Sequence, residues 1–423
     1  MRFRVAPSEV RGVVRAPPSK SYTHRAILLS ALSGGPCRVR HGLISEDTEA
    51  TIAGVEAFGA RVAREGDGLR ITSDPFEPPA AAIDARNSGT TLRLLAGVAA
   101  TLDAPTRLTG DRSLRKRPMG PLLAALEGLG ARATSIAGDG CPPVEVAGPL
   151  RGGDVSIPGG VSSQFISSLL VACPLARASS LVTVLPPFRS EPYVEVTLQV
   201  VRRFGATVES DAPSFRIPGG QAYRPADFDV PGDYSSAAFP LVAAAITRGD
   251  VSVEGLDASM PQGDARLVDD LRRFGARVDV ASGRVRARAG DLVGRTVDIG
   301  DTPDLFPALA VLATQARGES RFVNGEHLRI KESDRIATTV AFLKAMGASA
   351  QATSDGCVVR GPTRLREAFV ESHGDHRILM AAAVAGLAAD GPVDITDPWC
   401  FRVSYPTFLE DLVRLGAAAE VVS

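Results

Sequence analysis

Residues 51–60 read TIAGVEAFGA, and this pattern, which ends in an apolar residue followed by Gly-Ala, returns five more times along the chain. The six closing glycines are Gly59, Gly130, Gly205, Gly275, Gly347 and Gly416. They are 71, 75, 70, 72 and 69 residues apart. Apolar or Thr residues lie three and seven positions before each closing residue, as Thr51 and Val55 lie before Phe58. This spacing indicates one face of a helix, and the glycine supplies the left-handed residue that ends it. Because solenoid repeats span roughly 20–50 residues, a repeat this long predicts a small α/β module.

A second helix is predicted in every repeat. Six segments rich in small residues are apolar on all sides, and they begin near Ser21, Gly89, Ser163, Ser235, Pro303 and Gly374. A helix without a polar face is buried all round. Short stretches rich in Val and Ile, such as Val144–Val146 and Val393–Ile395, predict strands between the helices. The predicted fold is therefore α/β, with two domains of three repeats each and buried helices wrapped by sheets.

Length and composition limit the function classes. A chain of 423 residues exceeds what one core normally serves. A net charge of −1 argues against a non-specific nucleic-acid coat. The five cysteines lack any Cys-x-x-Cys spacing, which favours buried thiols in a reducing compartment over metal ligands or disulfides. Neither a secretory signal nor an apolar run long enough to span a bilayer is present. We therefore expect a cytoplasmic protein.

Cations lie near the predicted N-termini of the buried helices. Lys20, Arg25, Arg93 and Arg377 fall within the first turn or two. Helix N-termini offer unpaired N–H groups and about half a positive charge, which suits an anionic ligand. The Ser, Asp and Asn residues beside them can be plain N-caps, but capping does not explain cations that oppose the dipole. Two such ends facing each other would form a cleft for a multiply charged small molecule.

Two charged loops precede exposed helices. Residues 110–118 hold a dense run of Arg and Lys, and residues 329–335 alternate in sign around Ser333, which we predict to be an N-cap. Such runs are commonly solvated faces. Their recurrence at the same place in the repeat favours a role in binding.

Six motifs occur in an informative order. They are Pro18-Ser19-Lys20-Ser21 with Arg25, Asn87-x-Gly89-Thr90-x-x-Arg93, Arg117-Pro118, Val161-Ser162-Ser163-Gln164-Phe165, Lys331-Glu332-Ser333-Asp334-Arg335 and Asp375-His376-Arg377. Together they resemble the EPSP synthase family (3-phosphoshikimate 1-carboxyvinyltransferases), from residue 12 to about residue 410. The resemblance implies a two-domain inverted α/β barrel. Residues 12–228 would form the first domain and residues 1–11 with 229–423 the second, with the active site in the interdomain cleft.

The resemblance also implies a reaction. The enolpyruvyl group of phosphoenolpyruvate would pass to the 5-hydroxyl of shikimate 3-phosphate, with release of phosphate, by addition and elimination. No metal or organic cofactor is implied, and the enzyme would be a monomer. The chemistry needs a proton donor for the methylene carbon, a base for the hydroxyl and cations for the phosphates and carboxylates. The implied catalytic residues are Asp304 as the base, Glu332 as the proton donor and acceptor, and Lys20.

The implied binding residues follow position by position. For shikimate 3-phosphate they are Lys20, Ser21, Arg25, Ser162, Ser163, Gln164, Ser190, Tyr193, Asp304 and Lys331. For phosphoenolpyruvate they are Lys20, Asn87, Gly89, Arg117, Gln164, Arg335 and Arg377. The resemblance further implies that the herbicide glyphosate occupies the phosphoenolpyruvate space beside Gly89. His376 lies next to this pocket in sequence, and either a structural hydrogen bond or proton transfer fits it.

The sequence departs from the family pattern at three places. His24 stands where many members have Asn, and His327 stands where some members use Asn to bind shikimate 3-phosphate, so we count neither as a site residue. Val403 replaces a Lys that contacts phosphoenolpyruvate. Because Ser404 is a predicted N-cap, we expect Arg402 to lie on a loop and to take over that contact.

The sequence disfavours two alternatives to this family. The related UDP-N-acetylglucosamine enolpyruvyl transferases carry a catalytic Cys in the second-repeat loop, where residues 111–120 have none, and a Lys-Asn pair where this chain has Lys20-Ser21. Inverted-barrel proteins that process RNA ends are disfavoured by the 5% aromatic content and by basic residues confined to helix ends.

Overall fold

The computed structural model describes residues 1–423 and divides into two compact units. The N-terminal unit is Pro18–Val230, and the C-terminal unit is Met1–Pro17 with Pro231–Ser423. None of the helices is both long enough and apolar enough to cross a membrane.

Each unit contains six α-helices. In the N-terminal unit they are α1 (Lys20–Leu32), α2 (Glu46–Ala57), α3 (Gly89–Ala99), α4 (Gly120–Gly128), α5 (Ser163–Ala172) and α6 (Glu191–Arg203). In the C-terminal unit they are α7 (Tyr234–Ile246), α8 (Leu267–Phe274), α9 (Phe306–Thr314), α10 (Arg335–Ala345), α11 (His376–Leu387) and α12 (Phe408–Arg414).

Twenty-four short strands complete the two units. Those up to residue 147 are β1 (Arg2–Ala6), β2 (Arg11–Arg15), β3 (Cys37–Arg40), β4 (Ala60–Glu65), β5 (Gly68–Ser73), β6 (Ile83–Asp84), β7 (Thr106–Thr109), β8 (Arg132–Ser135) and β9 (Val144–Ala147). The next are β10 (Gly153–Pro158), β11 (Ser180–Leu185), β12 (Glu209–Asp211), β13 (Ser214–Ile217), β14 (Phe228–Asp229), β15 (Asp250–Glu254), β16 (Arg277–Ala281) and β17 (Arg284–Arg288). The last are β18 (Thr296–Asp298), β19 (Gly318–Val323), β20 (Ser349–Ala352), β21 (Cys357–Gly361), β22 (Ala368–Val370), β23 (Val393–Ile395) and β24 (Ala418–Val422).

The repeated Gly-Ala ends are helix ends, as the sequence predicts. All six closing glycines have left-handed backbone, with φ between 83° and 104°. Every member of the apolar stripe that precedes them is at most 2% exposed. The even-numbered helices therefore bury one face and end at the glycine, because a side chain is strained at this φ.

The odd-numbered helices are the predicted buried ones. All residues of α9 and α11 are buried. In the C-terminal unit α7, α9 and α11 pack against one another, as expected of three buried helices side by side. In the N-terminal unit α3 packs against α5, whereas α1 packs against α2 and α6. Each core is thus a layer of apolar helices covered by sheets.

All six four-stranded sheets have the same pattern of parallel and antiparallel pairing. The sheet with strand order β6-β7-β9-β8 is an example. The first two strands pair in parallel, with Ile83 opposite Leu108. The last three strands pair antiparallel, with Thr106 opposite Val146. A parallel pair needs a crossover connection, which here is the buried helix. Each repeat is therefore a strand, a buried helix, a strand, an exposed helix and a hairpin.

Three strands join a sheet far from their sequence neighbours. β2 pairs in parallel with β15, and β14 pairs in parallel with β3. β1 pairs with both β23 and β24, so it completes the sixth repeat. The sequence predicts that the first domain spans residues 12–228, so its first boundary falls inside β2. The structure divides instead at Pro17–Pro18 and Val230–Pro231. A five-residue strand with one buried side chain does not indicate by its pattern which sheet it joins.

Candidate active site

Buried helices of the N-terminal unit begin where the motifs begin. α1 starts at Lys20, α3 at Gly89 and α5 at Ser163. Ser88 and Ser162 do act as N-caps, since their Oγ atoms accept from Thr91 N at 3.2 Å and Gln164 N at 3.3 Å. Capping thus accounts for these two serines, but not for the cations beside them. We refer to Lys20, Arg25, Asn87, Arg117 and Gln164 as the N-terminal cluster.

Arg25 is the most deeply buried cation of this cluster, at 2% exposure. Its Nε donates to Thr197 Oγ1 at 2.7 Å, and its Nη2 donates to Ser167 Oγ at 3.0 Å and to the carbonyl oxygen of Tyr193 at 3.3 Å. Its Nη1 donates to the carbonyl oxygen of Ser21 at 2.9 Å. These acceptors are neutral, and burial lowers the pKa of Arg25 to about 10. A buried guanidinium held by neutral groups favours a nearby anion.

Lys20 lies at the first position of α1 and forms an ion pair. Its Nζ is 2.8 Å from Asp47 Oδ2, and the two side chains are 16% and 9% exposed. Asp47 lies in the first turn of α2. The pair joins the beginnings of two helices and fixes the direction of the ammonium group.

A second set of contacts links α3, α5 and the loop before α4. Arg117 Nη2 donates to Asn87 Oδ1 at 2.5 Å, and Asn87 Nδ2 donates to Asp111 Oδ2 at 2.6 Å. Gln164 accepts from Arg93 Nη1 at 2.5 Å and donates to Thr90 Oγ1 at 2.8 Å. The motifs around Asn87, Arg117 and Gln164 therefore meet in one place.

Gly89 lies inside this set of contacts. A Cβ on Gly89 would be 3.0 Å from Arg93 Nη1 and 3.4 Å from both Arg117 Nη1 and Gln164 Oε1. A Cβ would fit tightly here because the backbone approaches the guanidinium groups closely, not because of a special φ.

The C-terminal unit holds the second group, Asp304, Glu332, Arg335, Asp375 and Arg377, which we call the C-terminal cluster. Arg335 is 2% exposed and binds three carboxylates. Its Nη1 is 2.8 Å from Asp304 Oδ1, its Nη2 is 2.6 Å from Glu332 Oε2, and its Nε is 2.9 Å from Asp375 Oδ2. Burial lowers the pKa of Arg335, but Asp375, Glu332 and Asp304 outweigh it and raise that pKa above its usual value.

Asp304 is shared between two guanidinium groups. Arg377 Nη2 donates to Asp304 Oδ2 at 2.8 Å, while Arg335 takes the other oxygen. Burial opposes ionisation of Asp304, but Arg377, Arg335 and Lys331 outweigh it and hold the pKa of this carboxyl below its usual range. Arg377 Nη2 also donates to Ser235 Oγ at 3.1 Å, so the beginnings of α7, α9 and α11 converge. Predicted site residues of this unit therefore meet around one carboxylate.

Other sequence-predicted residues have more structural surroundings. Ser190 has left-handed backbone with φ 56° immediately before α6, and Tyr193 offers its carbonyl oxygen to Arg25. His24 is buried with Nδ1 2.6 Å from Thr51 Oγ1, and burial, followed by Lys20 and Arg25, lowers its pKa well below the usual value. His24 is thus a neutral core residue. His376 and His327 are also buried, at 1% and 3% exposure.

Two predicted N-caps are wrong. Asp334 caps α10, because its Oδ1 accepts from Ala337 N at 3.0 Å, and Ser333 Oγ instead donates to Asp375 Oδ2 at 3.0 Å. α12 begins at Phe408 after Thr407, not after Ser404. In both cases the pattern indicates a polar residue close to the true cap, because a sequence pattern locates a helix start only within a few residues.

Arg402 lies in a 3₁₀ turn, Cys400–Val403, and not on the open loop that we expected. Its guanidinium carbon is 4.2 Å from the centre of the Trp399 ring, and its side chain is exposed. This cation–π contact already occupies the group that the sequence assigned to phosphoenolpyruvate.

Sequence reasoning missed two carboxylates. Asp47 binds Lys20, and Asp375 is 0% exposed and binds Arg335. Asp375 also caps α11 by accepting from Arg377 N at 3.0 Å. For Asp375 the sequence does hold a signal, since this Asp directly precedes a buried helix. Asp47 lies inside α2 and has no such signal.

The cysteines are all free, and Cys37, Cys173 and Cys357 are buried, whereas Cys141 and Cys400 are partly exposed. Burial raises the pKa of Cys173 and of Cys357 to about 12, so these thiols stay protonated at neutral pH. Nowhere do three or more His, Cys, Asp or Glu residues come together in a group that could hold a metal ion.

Comparison with known proteins gives consistent matches. The family model for EPSP synthase (3-phosphoshikimate 1-carboxyvinyltransferase) matches residues 5–412. The protein named 3-phosphoshikimate 1-carboxyvinyltransferase from Methanocorpusculum labreanum is 47% identical over 420 residues, covering 99% of both chains. Its namesake from Methanothrix thermoacetophila is 48% identical over 421 residues, also covering 99% of both chains.

Solved structures agree on the fold. EPSP synthase from Acinetobacter baumannii superposes with a TM-score of 0.83 at 30% identity, covering 100% of both chains. The enolpyruvyl transferase NikO from Streptomyces tendae gives a TM-score of 0.81 at 18% identity, covering 99% of this chain and 98% of that one. The second likeness shows the fold alone. The inverted α/β fold expected from the sequence is thus confirmed.

Proposed function

Since the chain belongs to the EPSP synthase family, we propose that it transfers the enolpyruvyl group of phosphoenolpyruvate to the 5-hydroxyl of shikimate 3-phosphate through its two charged clusters. The substrates are two small anions. The observation that carries the assignment of roles is Asp304, which is held by both Arg335 and Arg377 in the cluster that also contains Glu332.

The N-terminal cluster is proposed to bind anionic groups. Arg25 has only neutral hydrogen-bond acceptors, so a phosphate would supply the negative charge that its surroundings lack. We assign Arg25, Ser21, Ser162 and Ser163 to shikimate 3-phosphate. Lys20 and Gln164 would contact both substrates, and Asn87, Gly89 and Arg117 would contact phosphoenolpyruvate.

The C-terminal cluster is proposed to move protons. Asp304 takes the proton of the 5-hydroxyl as that oxygen bonds to the central carbon of phosphoenolpyruvate. Glu332, whose carboxylate pairs with Arg335, would take up a proton as phosphoenolpyruvate engages that guanidinium, and it then gives this proton to the methylene carbon, which yields a tetrahedral intermediate. In the second step the bond between the central carbon and the phosphate oxygen breaks, the phosphate leaves with the proton that Asp304 took up, and Glu332 takes a proton back from the methyl group. Lys331 is assigned to shikimate 3-phosphate, and Arg335 and Arg377 to phosphoenolpyruvate.

Substrate binding would also activate the base. A carboxylate whose pKa is held low by two guanidinium groups is a weak base. When the anionic phosphoenolpyruvate binds Arg335 and Arg377, it shares their positive charge, and the pKa of Asp304 rises towards the value that proton abstraction needs. The two guanidinium groups therefore keep Asp304 ionised before phosphoenolpyruvate binds. The bound substrate would then make Asp304 more basic.

Phosphate release from a mixture of phosphoenolpyruvate and shikimate 3-phosphate tests the reaction. The expected result is stoichiometric phosphate and an enolpyruvyl ether, and both products should be absent when either substrate is omitted. Release of phosphate with UDP-N-acetylglucosamine as the acceptor would contradict the substrate assignment.

We further infer that the protein works as a monomer in the cytoplasm. Five free cysteines fit a reducing compartment. Light scattering coupled to size-exclusion chromatography tests the monomer, for which a mass near 44.2 kDa is expected.

A further inference from the structure

The turn between β22 and α11 has an unusual backbone. His373 and Gly374 both have left-handed conformation, with φ of 54° and 68°. Asp375 N donates to the carbonyl oxygen of Ser372 at 3.0 Å. Positive φ at both central positions, with this hydrogen bond, describes a type I′ turn, which Gly, Asn and Asp dominate. A histidine is more strained here than a glycine, so contacts outside the turn help to hold it in place.

Asp397 supplies those contacts from the neighbouring strand. β22 and β23 are parallel, with Val370 opposite Ile395, so the segments that follow them lie side by side. Asp397 Oδ2 accepts from Ser372 Oγ at 2.7 Å, from Gly374 N at 3.0 Å and from Thr396 Oγ1 at 3.0 Å. Burial opposes ionisation of Asp397, but these hydrogen bonds outweigh it and hold its pKa below the usual value. The turn is therefore tied to an ionised carboxylate.

The turn leads directly into the C-terminal cluster. Asp375 is the last residue of the turn, and it both caps α11 and binds Arg335 Nε at 2.9 Å. Arg377 follows in the first turn of α11 and binds Asp304 at 2.8 Å. A shift of the turn would move both residues relative to Asp304.

We propose that Asp397 is a positioning residue for the C-terminal cluster, acting through the turn 372–375 to set the places of Asp375 and Arg377. The inference rests on the proposed function, because Arg377 is there assigned to phosphoenolpyruvate. Asp397 itself holds only the turn and the start of the segment after β23, where Cys400 N donates to its carbonyl oxygen at 2.9 Å.

The test replaces the carboxylate and then repairs the turn. Asp397→Asn keeps the size of the side chain but offers an uncharged oxygen, so kcat/KM for phosphoenolpyruvate should fall about tenfold. Amide hydrogen exchange in residues 369–379, measured without substrates, should become faster. Adding His373→Gly to Asp397→Asn should restore most of both properties, because glycine accepts positive φ without strain.

His41 provides a matched control in the N-terminal unit. It is an exposed histidine with φ 53°, close to that of His373, and it lies outside both clusters. His41→Gly added to Asp397→Asn should restore neither the exchange rate nor kcat/KM. Rescue by His41→Gly would mean that general stabilisation, and not the turn, is responsible.

Three outcomes overturn the inference. They are wild-type exchange rates in Asp397→Asn, wild-type kcat/KM in that variant, or activity that stays low when His373→Gly has restored slow exchange. A wild-type protein without phosphate release would instead contradict the proposed function, while the exchange data would still report on the turn. Should Asp397→Asn fail to fold, Ser372→Ala removes one of the three donors, and a smaller loss with the same rescue is then expected.

Discussion

The two units share one architecture and differ in electrostatics. Each has six helices and three four-stranded sheets, and in each a buried arginine sits among the helix beginnings. In the N-terminal unit Arg25 binds only hydroxyl and carbonyl oxygens, and burial lowers its pKa to about 10. In the C-terminal unit Arg335 binds three carboxylates, which outweigh burial and raise its pKa.

This difference indicates a division of labour between the units. A buried cation without a counter-charge is stabilised by a bound anion, so the N-terminal cluster is suited to holding a phosphate. The C-terminal cluster holds three carboxylates beside two guanidinium groups, so it contains acidic groups that are suited to taking up and giving back a proton. On the roles proposed above, the same helix-end geometry would serve binding in one unit and chemistry in the other.

The largest expected effect concerns the two carboxylates assigned to chemistry. Asp304→Asn and Glu332→Gln should each lower kcat by about 10²–10⁴-fold, because positioned proton transfer contributes that much. Binding of phosphoenolpyruvate should survive, since Arg335 and Arg377 remain. Steady-state phosphate release and calorimetric binding measure the two properties, with Asp291→Asn, an exposed acid of the same unit, as the control. Near-normal turnover in either variant would show that its assigned role is wrong.

The second prediction compares the two buried arginines by stability. Arg335→Met leaves Asp375 buried and without its cation, which should lower the free energy of unfolding by about 3–5 kcal/mol. Arg25→Met leaves only neutral acceptors, so a loss of about 1–3 kcal/mol is expected. Urea denaturation followed by circular dichroism measures both. An Arg25→Met variant that loses as much as Arg335→Met would contradict the contrast between the units.

The third prediction tests the close approach at Gly89. A Cβ there would lie 3.0 Å from Arg93 Nη1 and 3.4 Å from Arg117 Nη1, so the Arg93 guanidinium must give way by a few tenths of an ångström beside Arg117. Gly89→Ala should raise KM for phosphoenolpyruvate by about tenfold, the scale of one weakened charge-assisted hydrogen bond. Inhibition by glyphosate should weaken at least as much. Gly120→Ala, where the nearest atom to a Cβ is 4.0 Å away, serves as the control.

The pH dependence of stability tests the surroundings of His24 in the N-terminal unit. Burial, with Lys20 and Arg25, lowers the pKa of His24 in the folded protein well below its usual value. Below about pH 6.5 the unfolded chain therefore binds a proton that the folded chain does not, and stability falls as pH falls, by up to about 1.4 kcal/mol per pH unit.

Removing the imidazole should flatten this slope. Between pH 5 and 6.5 the unfolding free energy of His24→Asn should depend less on pH than that of the wild type, by up to one proton. Equal slopes for the wild type and His24→Asn would mean that the folded protein protonates His24 normally.

The sequence predicted the fold in most respects because its signals were local and repeated. A helix that ends at a left-handed glycine is encoded by adjacent residues, so all six ends were located, for example at Gly59 and Gly416. The destination of β2 was not predicted, because pairing with β15, more than 200 residues away, leaves no local pattern. The motifs likewise indicated which residues carry charge, but Asp47 as the partner of Lys20 emerged only from the packing of α1 against α2.

Errors within the site came from helix starts. The sequence predicts Ser404 as an N-cap because it precedes an amphipathic pattern. In the structure Phe408 is the first helical residue, and Cys400–Val403 form a 3₁₀ turn. Hydrophobic spacing alone cannot distinguish a 3₁₀ turn from a loop, since both are short. This error led directly to the expectation for Arg402.

The smallest expected effect is at Arg402. Its guanidinium lies 4.2 Å over the Trp399 ring, and leaving an exposed cation–π contact of this kind costs about 0.5–1 kcal/mol. Because the ring already engages this guanidinium, Arg402→Ala should raise KM for phosphoenolpyruvate by no more than about threefold, well short of the tenfold loss expected for a full charge-assisted hydrogen bond. Val403→Lys, which restores the family's cation, should lower that KM more than Trp399→Ala, which only releases Arg402. A tenfold loss in Arg402→Ala would mean that Arg402 leaves the ring and replaces the missing Lys, so the C-terminal unit would contribute a cation from outside its cluster.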